Sequence, residues 1–135
     1  SMIHPESPRS RAAWAKGNED IERADRAFDA MLEPLGLPIV LAGDFNSTPS
    51  GWRSRELTRR LQLVRAKPWW TPEGTWPATG FWPFRVAIDD VMVSPGVRVI
   101  AWSPQRTPPE GRKVLKNSDH VPVLVELLLP ASGGR

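Results

Sequence analysis

Residues 38–43, PIVLAG, carry no charged side chain and stop abruptly at Gly43-Asp44-Phe45-Asn46. A run of this length fits one strand. Its unbroken apolar character, in place of alternation, predicts a strand buried on both faces. Such a strand cannot stand alone and needs packed layers around it. The 135 residues are enough for one domain with a substantial core.

The elements around this strand follow from spacing. Ile21, Ala24, Phe28 and Met31 recur at intervals of three and four, with Leu32 beside them. That period predicts a helix ended by Pro34 and Gly36. Asn18, followed by Glu19 and Asp20, suits an N-cap; a start near Ser10, with Trp14 on the same stripe, is the alternative. A shorter helix is predicted from Ser50 to Leu61, with Trp52, Leu57 and Leu61 inward, and a short strand within 61–66. Residues 67–85 are dense in Pro, Trp and Gly and read as a long loop. Residues 86–94 and 97–103 read as strands of a hairpin turning at Pro95-Gly96, and 121–129 as the last strand after a basic loop over 104–118. The order predicts an α/β (α+β) fold: a mixed, mostly antiparallel sheet with helices on one face.

The chain has no Cys, which excludes disulfides and zinc–thiolate sites. No apolar run reaches the ~18 residues of a membrane helix, and the start carries no signal-peptide pattern. Ser1-Met2 reads as a cleavage scar and 130–135 as a frayed tail. A segment ahead of residue 3 could carry targeting information. The net charge of +3 permits an anionic partner without requiring one.

Polar clusters interrupt the apolar runs at strand ends. Gly43-Asp44-Phe45-Asn46 is one; by itself it reads equally as an Asx-turn. Ile88-Asp89-Asp90-Val91 is another. Alternation sends its two acids to opposite faces, so one points into protein and needs a partner, or faces water at an edge. Ser118-Asp119-His120 precedes the last strand and reads as a cap or a site. If that strand runs antiparallel to 38–43, Asp44, Asn46, Asp119 and His120 share one sheet edge, with Asp89 in reach of the imidazole. Acids, an amide and a His gathered at strand termini suit metal-assisted hydrolysis of a phosphoester. A hard cation takes carboxylate oxygens, a phosphoryl oxygen takes donors, and an attacking water takes a carboxylate base.

With these stretches in hand, the chain resembles the endonuclease/exonuclease/phosphatase superfamily of deoxyribonuclease-I-like fold. LAGDFNSTP (41–49), AIDDVMVSPG (87–96) and SDHVPVLVEL (118–127) carry the resemblance, with GTWP (74–77) similar to a subgroup. It covers most of residues 3–129 and implies the C-terminal half of a four-layer sandwich. The implied activity is divalent-metal-dependent phosphoester hydrolysis, with Mg²⁺ or Mn²⁺. By the resemblance, Asp44 orients or deprotonates the attacking water and Asn46 holds a phosphate oxygen. Asp89 fixes the tautomer of His120, Asp119 ligands the metal, and His120 stabilises the phosphorane or acts as base. His4 is similar to an upstream His of the family that contacts the phosphate or assists the leaving group. The family's metal-binding Glu and a further Asn come from a sheet ahead of this His. Their absence implies weak or absent metal affinity and turnover for this chain, and self-association or strand exchange in a dimer over a large apolar sheet face.

Arg53, Arg55, Arg59 and Arg60 follow the GDFN turn, and Lys113 and Lys116 precede Ser118. They read as a solvated face or as a phosphate-attracting rim, with Arg53 and Lys116 the substrate contacts. Trp69, Trp70, Trp76 and Trp82 crowd one loop, and burial of most of them in a local mini-core is expected, with one or two at the tip free to meet substrate. Nucleic acid, phosphoinositide and other phosphodiesters remain open as substrates. The rival classes are a non-catalytic binding or scaffold domain, and a membrane-associated lipid phosphodiesterase anchored by the Trp loop.

Overall fold

The computed structural model describes residues 2–3, 5, 9–32, 36–78, 85–105 and 118–131. Among them the chain forms β1 (Met2–Ile3), α1 (Arg11–Leu32), β2 (Val40–Asp44), α2 (Trp52–Arg60), β3 (Val64–Arg65), β4 (Asp89–Val93), β5 (Arg98–Pro104) and β6 (Val123–Leu128). The apolar run becomes β2, which lies inside a sheet of order β1-β2-β4-β3. β1 pairs with β2 in parallel, and β2 with β4 and β4 with β3 antiparallel. A separate ribbon pairs β5 with β6. The expected mixed, mostly antiparallel sheet with helices on one face is what forms.

The helical period places Ile21 and Phe28 of α1 in one core with Leu57 of α2 and Leu41, Phe45, Leu63 and Met92. This core covers one face of the four-stranded sheet. The other face of β2 differs from expectation. Val40, Ala42 and Asp44 are only half-buried, because that face borders an open cleft.

α1 takes the longer of the two anticipated courses. Ser10 caps it, its hydroxyl accepting the Ala13 N–H at 3.1 Å. Asn18 is therefore no N-cap: it lies inside the helix, buried, and its side-chain oxygen accepts from Arg53 Nε at 2.9 Å. A second polar tie joins the helices where Arg60 meets buried Asp25 at 2.9 Å. Trp52 does not point inward; it is exposed and lies against Trp14, ring centroids 6.3 Å apart.

The anticipated hairpin of residues 86–94 with 97–103 does not form. Ser94-Pro95-Gly96-Val97 closes with Val97 N–H donating to Ser94 O at 3.2 Å, and Gly96 sits at φ 95°. Pro followed by a positive-φ Gly is the signature of a type II turn, whose twist splays flanking strands. The chain accordingly leaves β4 in one sheet and enters β5 in the other. The last strand, in turn, pairs with β5 and not with β2.

Candidate active site

The β2–β4 register sets Asp44 directly opposite Asp89. Side-chain alternation turns Phe45 into the core and leaves the Asp44 carboxylate on the cleft side. Two like charges at facing positions repel, and His120 stands against both. Its Nδ1 lies 2.8 Å from Asp89 Oδ2, and since a carboxylate only accepts, the imidazole is the donor. The opposite ring nitrogen, Nε2, faces Asp44 Oδ2 at 3.9 Å and Asp119 Oδ1 at 3.7 Å. Burial alone lowers the imidazole pKa. The Asp89 hydrogen bond and the charges of Asp89, Asp44 and Asp119 outweigh it and hold His120 above its ordinary value.

Asp44, Asp89 and His120 each present an atom within 4.8 Å of the others, the arrangement of a possible cation site among the described residues. Three carboxylates counting Asp119, beside one imidazole, make a rim of hard oxygen donors rich in negative charge. That donor set fits a magnesium-like ion, which takes one or two carboxylates and fills its other positions with water and substrate oxygens. The rim opens on a cleft of about 570 Å³ between β2, β4 and the start of β6, lined among others by Ala42, Val91, Ser118 and Val123.

The GDFN turn is also a turn in its own right. Asn46 adopts φ 47°, and its N–H donates to Asp44 Oδ1 at 2.7 Å, an Asx-turn. The Asn46 carboxamide donates to Pro5 O at 2.9 Å and so ties the turn to the N-terminal segment. Asp119 is exposed, and its Oδ2 accepts from the indole Nε1–H of Trp76 at 2.9 Å. That bond holds its carboxyl below the usual carboxylate range. Arg53 is set apart from this group: it is buried, its guanidinium bonded to Asn18 and the Trp14 carbonyl of α1. His4 and Lys116 lie outside the described residues.

Asp90 takes the inward side of β4, as alternation requires, and is buried with Arg65 as its ion-pair partner. Burial pushes its carboxyl upward, against the pull of Arg65. The expected tryptophan mini-core is not found at Trp69 and Trp70, which are 90% and 66% exposed and stack edge to face on each other. Trp82 lies outside the described residues.

Two residues of the site carried no assigned role in the sequence. Thr75 is fully buried, and its hydroxyl accepts from the Asp89 N–H at 3.3 Å and the Ile88 N–H at 3.4 Å. Trp76 bonds Asp119 as above. The GTWP stretch marked their place, but a motif alone does not say which strand its side chains meet.

Fold and cluster define a mixed α/β domain with an acid–imidazole centre at its strand ends. The chain belongs to the Endonuclease/Exonuclease/phosphatase family, which it matches over residues 8–120. No curated protein sequence matches it significantly. Among solved structures, it is similar to a mannosyl-6-phosphatase from Bacteroides thetaiotaomicron VPI-5482 at 22% identity and TM-score 0.68, covering 92% of this chain and 49% of that one. It is similar to a functionally unknown conserved protein from Enterococcus faecalis V583 at 22% identity and TM-score 0.65, covering 94% and 48%. The human Nocturnin catalytic domain with bound sulfate aligns at 17% identity and TM-score 0.57, covering 94% and 45%. At these identities the likeness is one of fold, and the chain spans about half the length of the structures it matches. No helix among the described residues is long and apolar enough to cross a membrane.

Proposed function

We propose that this chain carries the hydrolytic centre of a divalent-metal-dependent phosphoester hydrolase, acting as phosphodiesterase, nuclease or phosphatase. The observation that supports this most is the orientation of His120. One ring nitrogen is anchored by Asp89, and the other faces the gap between Asp44 and Asp119. A bound Mg²⁺ or Mn²⁺ supplies charge neutralisation at the phosphoryl oxygens, and Asp119 with Asp44 are the residues to hold it. Asp44 orients the attacking water and accepts its proton. His120, its pKa raised by its acidic neighbours, hydrogen-bonds to the phosphoryl oxygen that gains charge in the transition state, while the ester P–O bond breaks and the leaving oxygen takes its proton from solvent. Asp89 holds the ring in that orientation. Asn46, in the same turn, is the residue that the resemblance assigns to the phosphate; its amide here donates to Pro5 O.

The test is hydrolysis of bis(4-nitrophenyl) phosphate with Mg²⁺ or Mn²⁺ with the upstream segment restored, beside Asp44→Ala and His120→Ala in the same background. Loss of turnover in both variants is the expected result. A non-catalytic binding domain has no turnover to lose.

A second reading has its own support. Trp69 and Trp70 are solvent-exposed on a loop that leaves β3 toward the Asp89 end of the sheet. Exposed indoles favour an interface between water and lipid, which suits a lipid phosphodiester substrate. Co-sedimentation with anionic liposomes that is lost in Trp69→Ala/Trp70→Ala supports this reading. Unchanged sedimentation removes it.

A further inference from the structure

Residues 74–78 form a bracket between the Asp89 strand and the Asp119 loop. Thr75 N–H and Trp76 N–H both donate to Val86 O at 3.0 Å, and Val86 N–H returns a bond to Trp76 O at 2.7 Å. Gly74 allows this approach: a Cβ there would stand 2.4 Å from the Arg85 carbonyl carbon. From the bracket, the Thr75 hydroxyl accepts the Asp89 N–H at 3.3 Å. On the opposite side, Val121 N–H donates to Thr75 O at 2.8 Å and Ala78 N–H to Asp119 O at 2.6 Å. The backbone on both sides of His120 is thereby held to the same short segment that holds Asp89.

One side-chain contact in this bracket reaches the site. Asp119 is 72% exposed, and an exposed carboxylate ordinarily samples several rotamers. Here Trp76 Nε1–H takes its Oδ2, which leaves Oδ1 on the His120 side, 3.7 Å from Nε2. A donor that fixes one oxygen of a carboxylate and frees the other toward a cation is the arrangement of an outer ligand-orienting partner. Trp76 is itself partly exposed, so burial of an apolar ring does not account for its placement.

We infer that Trp76 is a positioning residue for Asp119, its indole N–H aiming the free carboxylate oxygen at the cation and phosphate side of His120. The inference rests on the reading of Asp119 as a metal ligand given above. Removal of such partners lowers metal affinity roughly tenfold to a hundredfold.

The test is calorimetric titration with Mn²⁺ of the parent chain, Trp76→Phe, Asp119→Asn and the double variant, with the Trp76 indole N–H followed by NMR. Trp76→Phe keeps the ring and removes the donor, and it is expected to weaken Mn²⁺ binding by about tenfold or more. In the Asp119→Asn background it is expected to add nothing, because the pair acts as a unit. The indole N–H signal is expected to move in Asp119→Asn, a readout available even where Trp76→Phe folds poorly. Parent-like Mn²⁺ affinity in Trp76→Phe, additive losses in the double variant, or an unmoved indole signal overturns the positioning role alone. A parent chain that takes up no Mn²⁺ overturns the metal reading, and the inference with it.

Discussion

Asp44 and Asp89 face each other at the last register position of the β2–β4 pair, and His120 reaches both. A sheet gains nothing in stability from two carboxylates at facing positions. On the proposed function, their placement is a charge deficit that His120, when protonated, offsets in part and a divalent cation would complete.

Relief of that repulsion is measurable. Asp44→Asn keeps an oxygen for the Asn46 N–H, so the turn survives. In metal-free buffer the variant is expected to be as stable as the parent or more so, by about 0.2–1 kcal/mol. Urea unfolding with EDTA checks this; a clear loss of stability contradicts it.

The His120 shift gives a pH dependence with a definite sign. Its folded pKa lies above the ordinary value of 6.5, so protonation favours the folded state. The contribution is complete below 6.5 and is lost as pH rises through the folded pKa. The metal-free parent is expected to lose stability as pH rises from 6.5 through the folded His120 pKa, and Asp89→Asn to flatten that slope. Imidazole NMR titration gives the same answer directly: a lower His120 pKa in Asp89→Asn. An unchanged pKa contradicts the pairing.

Much of this centre was legible because its acids end or interrupt apolar strands. Asp44 follows an unbroken run, and alternation alone sends Phe45 inward and Asp44 outward. The choice between turn chemistry and site chemistry at Asp44 proved false, since one oxygen closes the Asx-turn and the other faces His120. Tertiary partners were less legible. Asn18 has cap chemistry but accepts from Arg53 across 35 residues, a contact no local window contains. Arg53 looked like a phosphate rim because its neighbours in sequence are basic, yet its own face of α2 turns toward α1. The hairpin failed on turn type: Pro-Gly stops a strand clearly but says little about which sheet the next strand joins. Trp69 and Trp70 are exposed, as the expectation allowed for one or two tip residues, while the burial predicted for the rest could not be read from local sequence.

Phe45 links the core to the site, being fully buried one residue after Asp44. Phe45→Ala is expected to cost about 3–5 kcal/mol. Denaturant unfolding reads it, and a loss under about 1 kcal/mol contradicts the packing described.

Arg53 and Asn18 form a buried pair between α1 and α2. Arg53→Met leaves the Asn18 oxygen unpaired, at an expected cost of about 1–3 kcal/mol. A double variant with Asn18→Leu is expected to recover part of the loss. Independent, additive penalties contradict the pairing.

Ile100, Leu124, Leu128 and Leu129 are at least half exposed on and beside the β5–β6 ribbon. Two-stranded ribbons are marginal without a covering layer, and the self-association expected from the sequence is open to a direct test. Light scattering is expected to show a dimer that Leu124→Lys/Leu128→Lys dissociates. A monodisperse monomer at high concentration contradicts it.

The central claim, on the proposed function, is that Asp44 and Asp119, from two distant stretches, hold one cation beside Asp89 and His120. Stepwise addition of Mn²⁺ to ¹⁵N-labelled chain tests it most directly, through paramagnetic broadening of backbone amides. Selective early loss of the Asp44, Asp89, Asp119 and His120 signals, abolished by Asp44→Asn/Asp119→Asn, is the predicted result. Broadening centred elsewhere, or unchanged by that double substitution, would contradict the account.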